Sequence, residues 1–216
     1  MVLLTPKIKW RTVLMLDAFR QDLITKLGET KLAKIEKAKI GIAGAGGLGS
    51  NCAACLVRVG FKRLTIADFD VIDATNLDRQ FYFEDQVGTK KVEALRTNLL
   101  RINPELELQM LPVKLEPANI PEIFRDCDVV VECLDRAEAK SMLVAALLSS
   151  GKLIVSASGL GGYGSSDDLK VRKLKTNLVL IGDLASDIAQ SPALSPRVSI
   201  AAAKQADVVL EYVVRN

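Results

Sequence analysis

The sequence of 216 residues contains no histidine. Ser-His-Asp and Cys-His nucleophilic schemes need an imidazole to carry the proton, so both are excluded. Aromatic residues are 5% of the chain, too few to build a base-stacking surface for nucleic acid. No apolar run approaches the roughly 20 residues that cross a bilayer. The opening MVLLTPKIKWRTV carries too short an apolar run for a signal peptide. The expected location is therefore cytoplasmic, with neither membrane nor nucleic acid as a partner. Basic residues exceed acidic ones by 29 to 26, and a net charge of +3 is too small to argue otherwise. Cysteine is scarce, at four residues: Cys52, Cys55, Cys127 and Cys133. Cys52 and Cys55 have the spacing of half a zinc knuckle, but no second pair follows. A four-ligand zinc site would need all four thiols, and two of them lie in or beside an expected buried strand. Small core thiols in a reducing compartment are expected, without zinc.

The residues that are present describe an ordinary globular chain, 49% hydrophobic and 25% charged. One domain over 1–216 is expected, opening with a helical segment at about 12–38. Leu16, Phe19, Leu23, Ile24 and Leu27 recur at helical spacing, and Gly28 stops the run. A short helix, ETKLAKIEKA, follows. Then apolar strands alternate with helices: KIGIA, a helix over 48–59, RLTIAD, GTKKVEALRTNLLRI, LELQMLPV, a helix near 117–125, DVVVEC, RAEAKSMLVAALLSSG and KLIVSAS. Such alternation predicts an α/β fold with a mostly parallel sheet. After Ser158 the pattern changes. GLGGYG reads as a hairpin turn, LKVRKLK and NLVLIG as antiparallel strands appended to the sheet. The stretch between Gly182 and Arg197 reads as a long loop, a lid or clamp. A last helix follows, with Ser195 as N-cap and Pro196 at its first position.

GAGGLG, residues 44–49, stands between the first strand and the helix after it. Gly44 permits a tight turn, Gly46 lets phosphate approach the backbone, and Gly49 permits close helix–strand packing. The helix N-terminus adds free N–H groups and the positive end of a dipole. Asp68 ends the second strand, where a carboxylate can grip a ribose hydroxyl. NAD and ATP satisfy this pattern equally. The Walker lysine is missing, because Ser50 follows Gly49 directly, so any lysine for phosphate comes from elsewhere.

Asn76, Arg79, Gln80 and Lys91 supply that polarity, on loops and at the start of a helix. Two cations with amide donors beside a phosphate turn suit a triphosphate whose leaving charge must be stabilised. A nicotinamide pocket has no need of them. Asp135 falls just past the fourth strand, where open α/β sheets bind ligands. It can hold Mg²⁺ beside phosphate, or cap the helix beginning at Arg136.

Taken in order, GAGGLG, DFD, NLDRQ, GTKKVE and CLD resemble the ThiF/MoeB/HesA family, bacterial relatives of the ubiquitin-activating enzymes. The short ThiF-type branch, associated with thiamine thiazole synthesis, is the most similar. The resemblance implies a Rossmann-like fold and an adenylyltransferase. Such an enzyme binds ATP·Mg²⁺ and adenylates the C-terminal Gly-Gly carboxylate of a ubiquitin-like sulfur carrier, releasing pyrophosphate. By position, Gly44, Gly46, Gly47, Gly49, Asp68 and Asp70 would surround the nucleotide. Asn76, Arg79, Gln80 and Lys91 would contact phosphates, and Asp135 would bind Mg²⁺. Arg20 would reach the phosphates from the partner in a homodimer. No general base is required, since the attacking carboxylate is ionised at neutral pH.

The chain departs from the family in two ways. It lacks the paired CxxC motifs of many relatives, and no cysteine follows Cys133, so the 182–197 loop cannot form a thioester. Adenylation is expected here, with sulfur arriving from a donor protein or from sulfide. The alternatives are an NAD-dependent oxidoreductase, an activating enzyme for a molybdopterin-type carrier or another carboxylate, and a non-catalytic ATP-binding subunit.

Overall fold

The computed structural model describes residues 18–216. The part of the expected N-terminal helical segment before residue 18 lies outside the described residues. A helix over 18–27 (α1) and Glu29–Lys37 (α2) are separated by Gly28, whose φ of 81° breaks the helical path. Then come β1 (Lys39–Ala43), α3 (Gly47–Arg58), β2 (Arg63–Ala67), α4 (Lys91–Ile102), β3 (Glu107–Leu111), α5 (Ile120–Ile123), β4 (Val129–Glu132), α6 (Ala137–Leu147), β5 (Leu153–Ala157), β6 (Lys170–Lys175), β7 (Leu178–Gly182) and α7 (Ser195–Arg215).

The strands form one seven-stranded sheet in the order β3-β2-β1-β4-β5-β7-β6. Its central strands are short β-branched runs, as expected where a parallel sheet is covered on both faces. Alternate residues divide the core. Ile40, Ile42, Leu64, Ile66, Val129, Val131 and Val155 pack under α2, α3, α4 and α7. Ala43, Ala67, Val130 and Ile154 face the opposite way, against Phe124 beside α5 and Leu143 and Leu147 of α6. The mostly parallel α/β sheet expected from the alternation is present, with helices on both faces.

The two C-terminal strands, β6 and β7, form the expected antiparallel pair at one edge of the sheet. β7 joins the sheet parallel to β5. GLGGYG is not a hairpin turn, because β7 separates β5 from β6 in the sheet. It instead packs against the following loop, with Gly161 and Gly162 bridging Ala193. The sheet ends on β6, whose lysines and arginine discourage edge-to-edge pairing. α7 starts at Ser195, one residue earlier than expected, with Leu194 at the N-cap and no side-chain cap.

Candidate functional site

The strand order reverses between β1 and β4. At such a switch point the loops from two adjacent strand ends part, leaving a crevice beyond their carboxyl ends. GAGGLG leaves β1 there, and Cys133–Asp135 leaves β4 beside it, with the Cys133 amide donating to the Ala43 carbonyl at 2.9 Å.

The glycines divide by role. Gly44 has φ +98°, and a Cβ on it would lie 2.7 Å from the Cys133 carbonyl oxygen. On Gly49 a Cβ would lie 1.9 Å from the Gly44 carbonyl oxygen. Both therefore serve close backbone packing. Gly46 differs: the nearest atom to its Cβ position is Gln80 Nε2, 3.9 Å away. Its open side is the cradle that a phosphate would need and a side chain would fill. No side chain caps α3, so its first-turn amides keep their capacity to bind an anion.

Asp68 closes the turn from the β2 side. Its carboxylate accepts from the Ala45 amide at 2.6 Å and the Asp70 amide at 2.8 Å. Burial raises its pKa, and these two amides with the Lys91 charge offset only part of the rise. Asp70 takes another partner, accepting from Lys91 Nζ at 2.7 Å. Lys91 is the first residue of α4, a position where a cation opposes the helix dipole. Its side chain is only 9% exposed. A charge kept there needs the Asp70 pair, and its placement is costly unless it serves an anion.

The NLDRQ stretch lies over the start of α3. A Cβ on Gly47 would meet Arg79 Cγ at 3.6 Å. The Arg79 guanidinium itself donates to the Thr75 carbonyl at 3.0 Å and to Asp78 at 2.6 Å. Asn76 accepts from the Asp73 amide at 3.1 Å and so closes its own turn. Gln80 Oε1 is buried without a partner among the described residues. Asp135 is exposed and makes no side-chain hydrogen bond among them. It does not cap α6, whose N-cap is Arg136.

Arg20 is not at this rim. It donates to both Glu36 oxygens, at 3.0 and 3.2 Å. Lys62 links Glu36 to Glu105, at 3.3 and 3.1 Å. Lys62 and Glu105 precede β2 and β3, so this cluster marks the opposite end of the sheet. Arg20 cannot serve the phosphates of its own chain from there.

Three residues at the site escaped the sequence reading. Tyr82 is buried and donates to the Ala45 carbonyl at 2.7 Å, with the Lys91 carbonyl 3.3 Å from the same hydroxyl, so it links the glycine turn to α4. Asn51 is the second. Glu132 is the third, fully buried at the end of β4. It accepts from Lys140 Nζ at 3.1 Å, Ser156 Oγ at 2.6 Å and the Leu134 amide at 2.6 Å. It thereby shapes the turn that carries Asp135. An acid inside a run of valines was the available signal, because such a charge is retained only when paired.

The 183–194 loop closes the rim beyond β5 and β7. Asp183 accepts from the Ala185 and Ser186 amides, both at 2.8 Å, and pairs with Arg197. Burial pushes the Asp183 carboxyl up, but the Ser186 and Ala185 amides, the Ser186 hydroxyl and Arg197 outweigh it and hold the pKa below the ordinary value. A carboxylate with a depressed folded-state pKa stabilises the fold above its unfolded pKa and loses that contribution as pH falls through the folded one. Asp183→Asn is therefore expected to lower the melting temperature at pH 7, and the gap to wild type should narrow below about pH 4. Parallel thermal melts at the two pH values measure it.

An uncapped helix N-terminus, a glycine turn and a switch-point crevice define an open α/β protein of the nucleotide-binding class. The ThiF family model matches residues 19–176, and the chain belongs to that family. It is 38% identical over 132 residues to the "adenylyltransferase and sulfurtransferase UBA4" of Candida glabrata, covering 61% of this chain and 30% of that protein. The corresponding protein of Meyerozyma guilliermondii is 34% identical over 147 residues, covering 67% and 35%. The chain thus spans about a third of the length of these relatives. Among solved structures, the E. coli tRNA N6-threonylcarbamoyladenosine dehydratase TcdA in complex with AMP superposes with a TM-score of 0.83 at 19% identity, covering 100% of this chain and 98% of that one. E. coli MccB with AMPCPP and MccA gives 0.70 at 20% identity, covering 86% and 58%. At these identities the structures establish a shared fold.

Proposed function

We propose that this chain is an adenylyltransferase that activates the C-terminal Gly-Gly carboxylate of a ubiquitin-like sulfur carrier with ATP, serving thiamine thiazole synthesis. The observation that carries it is the open side of Gly46 on an uncapped helix, with Gln80 beside Gly46 and Arg79 beside Gly47. The names of the UBA4 relatives support the adenylyl transfer, and the AMP- and AMPCPP-bound neighbours support a nucleotide in the crevice.

In this mechanism the glycine turn and α3 amides bind phosphate, and Asp68 and Asp70 lie beside the ribose. The carrier's carboxylate attacks the α-phosphorus, forming an acyl adenylate as the bond to pyrophosphate breaks. Lys91 and Arg79 offset the charge on the leaving group, with Asn76 and Gln80 as neutral donors. Asp135, exposed beside the turn, would hold Mg²⁺, whose charge would neutralise part of the triphosphate's. Arg20 would act only from a second copy of the chain, in a homodimer. The 183–194 loop would clamp the carrier's tail, and sulfur would come from a separate donor.

ATP–pyrophosphate exchange with a ThiS-like carrier tests this function. Exchange that requires the carrier's terminal carboxylate is the expected result. Thermal stabilisation by NAD, with none by ATP·Mg²⁺, would overturn it in favour of an oxidoreductase. ATP binding without exchange for any carrier would identify a non-catalytic subunit.

A further inference from the structure

Resting on the adenylation site proposed above, we infer that Asn51 is a positioning residue, which sets Arg79 and Gln80 at the correct height over the phosphate turn. Asn51 is the fifth residue of α3, where its intrinsic helix propensity is poor. Its side-chain nitrogen explains its presence. Nδ2 donates to the Gly47 carbonyl at 2.7 Å and to the Arg79 carbonyl at 2.9 Å. Both neighbours are acceptors, so an amide nitrogen fits where an oxygen would be repelled.

Ser50, the preceding residue, is fully buried. It donates to the Gly46 carbonyl at 2.7 Å and accepts from the Phe81 amide at 3.0 Å. The backbone of Gln80 is thus held on both sides, by Asn51 through residue 79 and by Ser50 through residue 81. Between these anchors Gln80 Nε2 approaches Gly46, and Oε1 is buried and unpartnered among the described residues. The Arg79 side chain stays on a local loop partner while its main chain is fixed. It can swing toward a phosphate without the segment moving. Asn51 touches neither, and acts through the backbone of Arg79.

The test is a double-mutant cycle of Asn51→Ala and Arg79→Ala, read in carrier-dependent pyrophosphate exchange and in ATP·Mg²⁺ affinity by calorimetry. Alanine is the best helix former, so α3 stays intact. Asn51→Asp is a second probe, which keeps the shape but removes the donor. Misplacing a phosphate-contacting group should lower the exchange kcat about tenfold to a hundredfold. ATP affinity should weaken by a smaller factor. On the Arg79→Ala background both losses should shrink severalfold, the remainder running through Gln80, because coupled residues are not additive. Equal losses on both backgrounds, or wild-type values for both Asn51 variants, would overturn the role. If the wild type binds ATP but exchanges nothing, the proposed function falls, and the affinity cycle still decides Asn51. Failure of the wild type to bind ATP overturns both.

Discussion

Lys91→Ala is expected to lower carrier-dependent pyrophosphate exchange by about a hundredfold to a thousandfold, the usual cost of one preorganised charge-stabilising donor. The placement of Lys91 makes the loss chemical. Its side chain is nearly buried, while that of its partner Asp70 is 45% exposed. Removing the lysine therefore leaves Asp70 solvated, not stranded in the core, and the penalty of an unpaired buried charge is avoided. The melting temperature should shift little. The variant also removes a cation from the N-terminus of α4, where the helix dipole disfavours it. Exchange near wild-type levels in a folded Lys91→Ala protein would show that the leaving charge is stabilised elsewhere.

Two glycines three positions apart in the same turn, Gly46 and Gly49, should respond differently. Gly49→Ala places a Cβ 1.9 Å from the Gly44 carbonyl oxygen and 3.2 Å from Ile42 Cγ2. The first obstacle is backbone and cannot rotate aside. α3 must lift from β1, and overpacking of this kind should cost about 3 kcal/mol. ATP-induced stabilisation should vanish with it. Gly46→Ala meets nothing closer than 3.9 Å and has an ordinary φ of -77°. Its fold should survive, yet its methyl group occupies the approach of the phosphate. Thermal melts with and without ATP·Mg²⁺ separate the two. Gly46→Ala should keep the apo melting temperature and lose the nucleotide shift. Full ATP stabilisation of the Gly46 variant would place the phosphate elsewhere.

Much of the architecture was legible in the chain because each signal is local. KIGIA and DVVVEC are short apolar runs, and strands buried on both faces need no alternation. GAGGLG announced its turn because close backbone packing demands glycine whatever the surroundings. In the C-terminal third the antiparallel pair and the last helix are legible, but the strand order is not. The order of β7 and β6 depends on which strand edge is free, and no local pattern records that. GLGGYG looked like a hairpin for this reason, although β7 lies between the strands it joins.

The candidate site divides in the same way. Residue type and spacing determined, without a structure, that glycines at a helix start would face Asp68 and that Arg79, Gln80, Lys91 and Asp135 would follow the ends of strands. Only the tertiary structure decided which groups hold which. It tied Lys91 to Asp70, drew Arg20 to Glu36 at the far end of the sheet, and laced residues 79–81 to α3 through Ser50 and Asn51. Glycine conformation and strand hydrophobicity are properties of the chain near each residue. These ion pairs and side-chain hydrogen bonds join residues far apart in the chain, 28 positions between Asn51 and Arg79, and exist only once the sheet has set its helices and loops side by side.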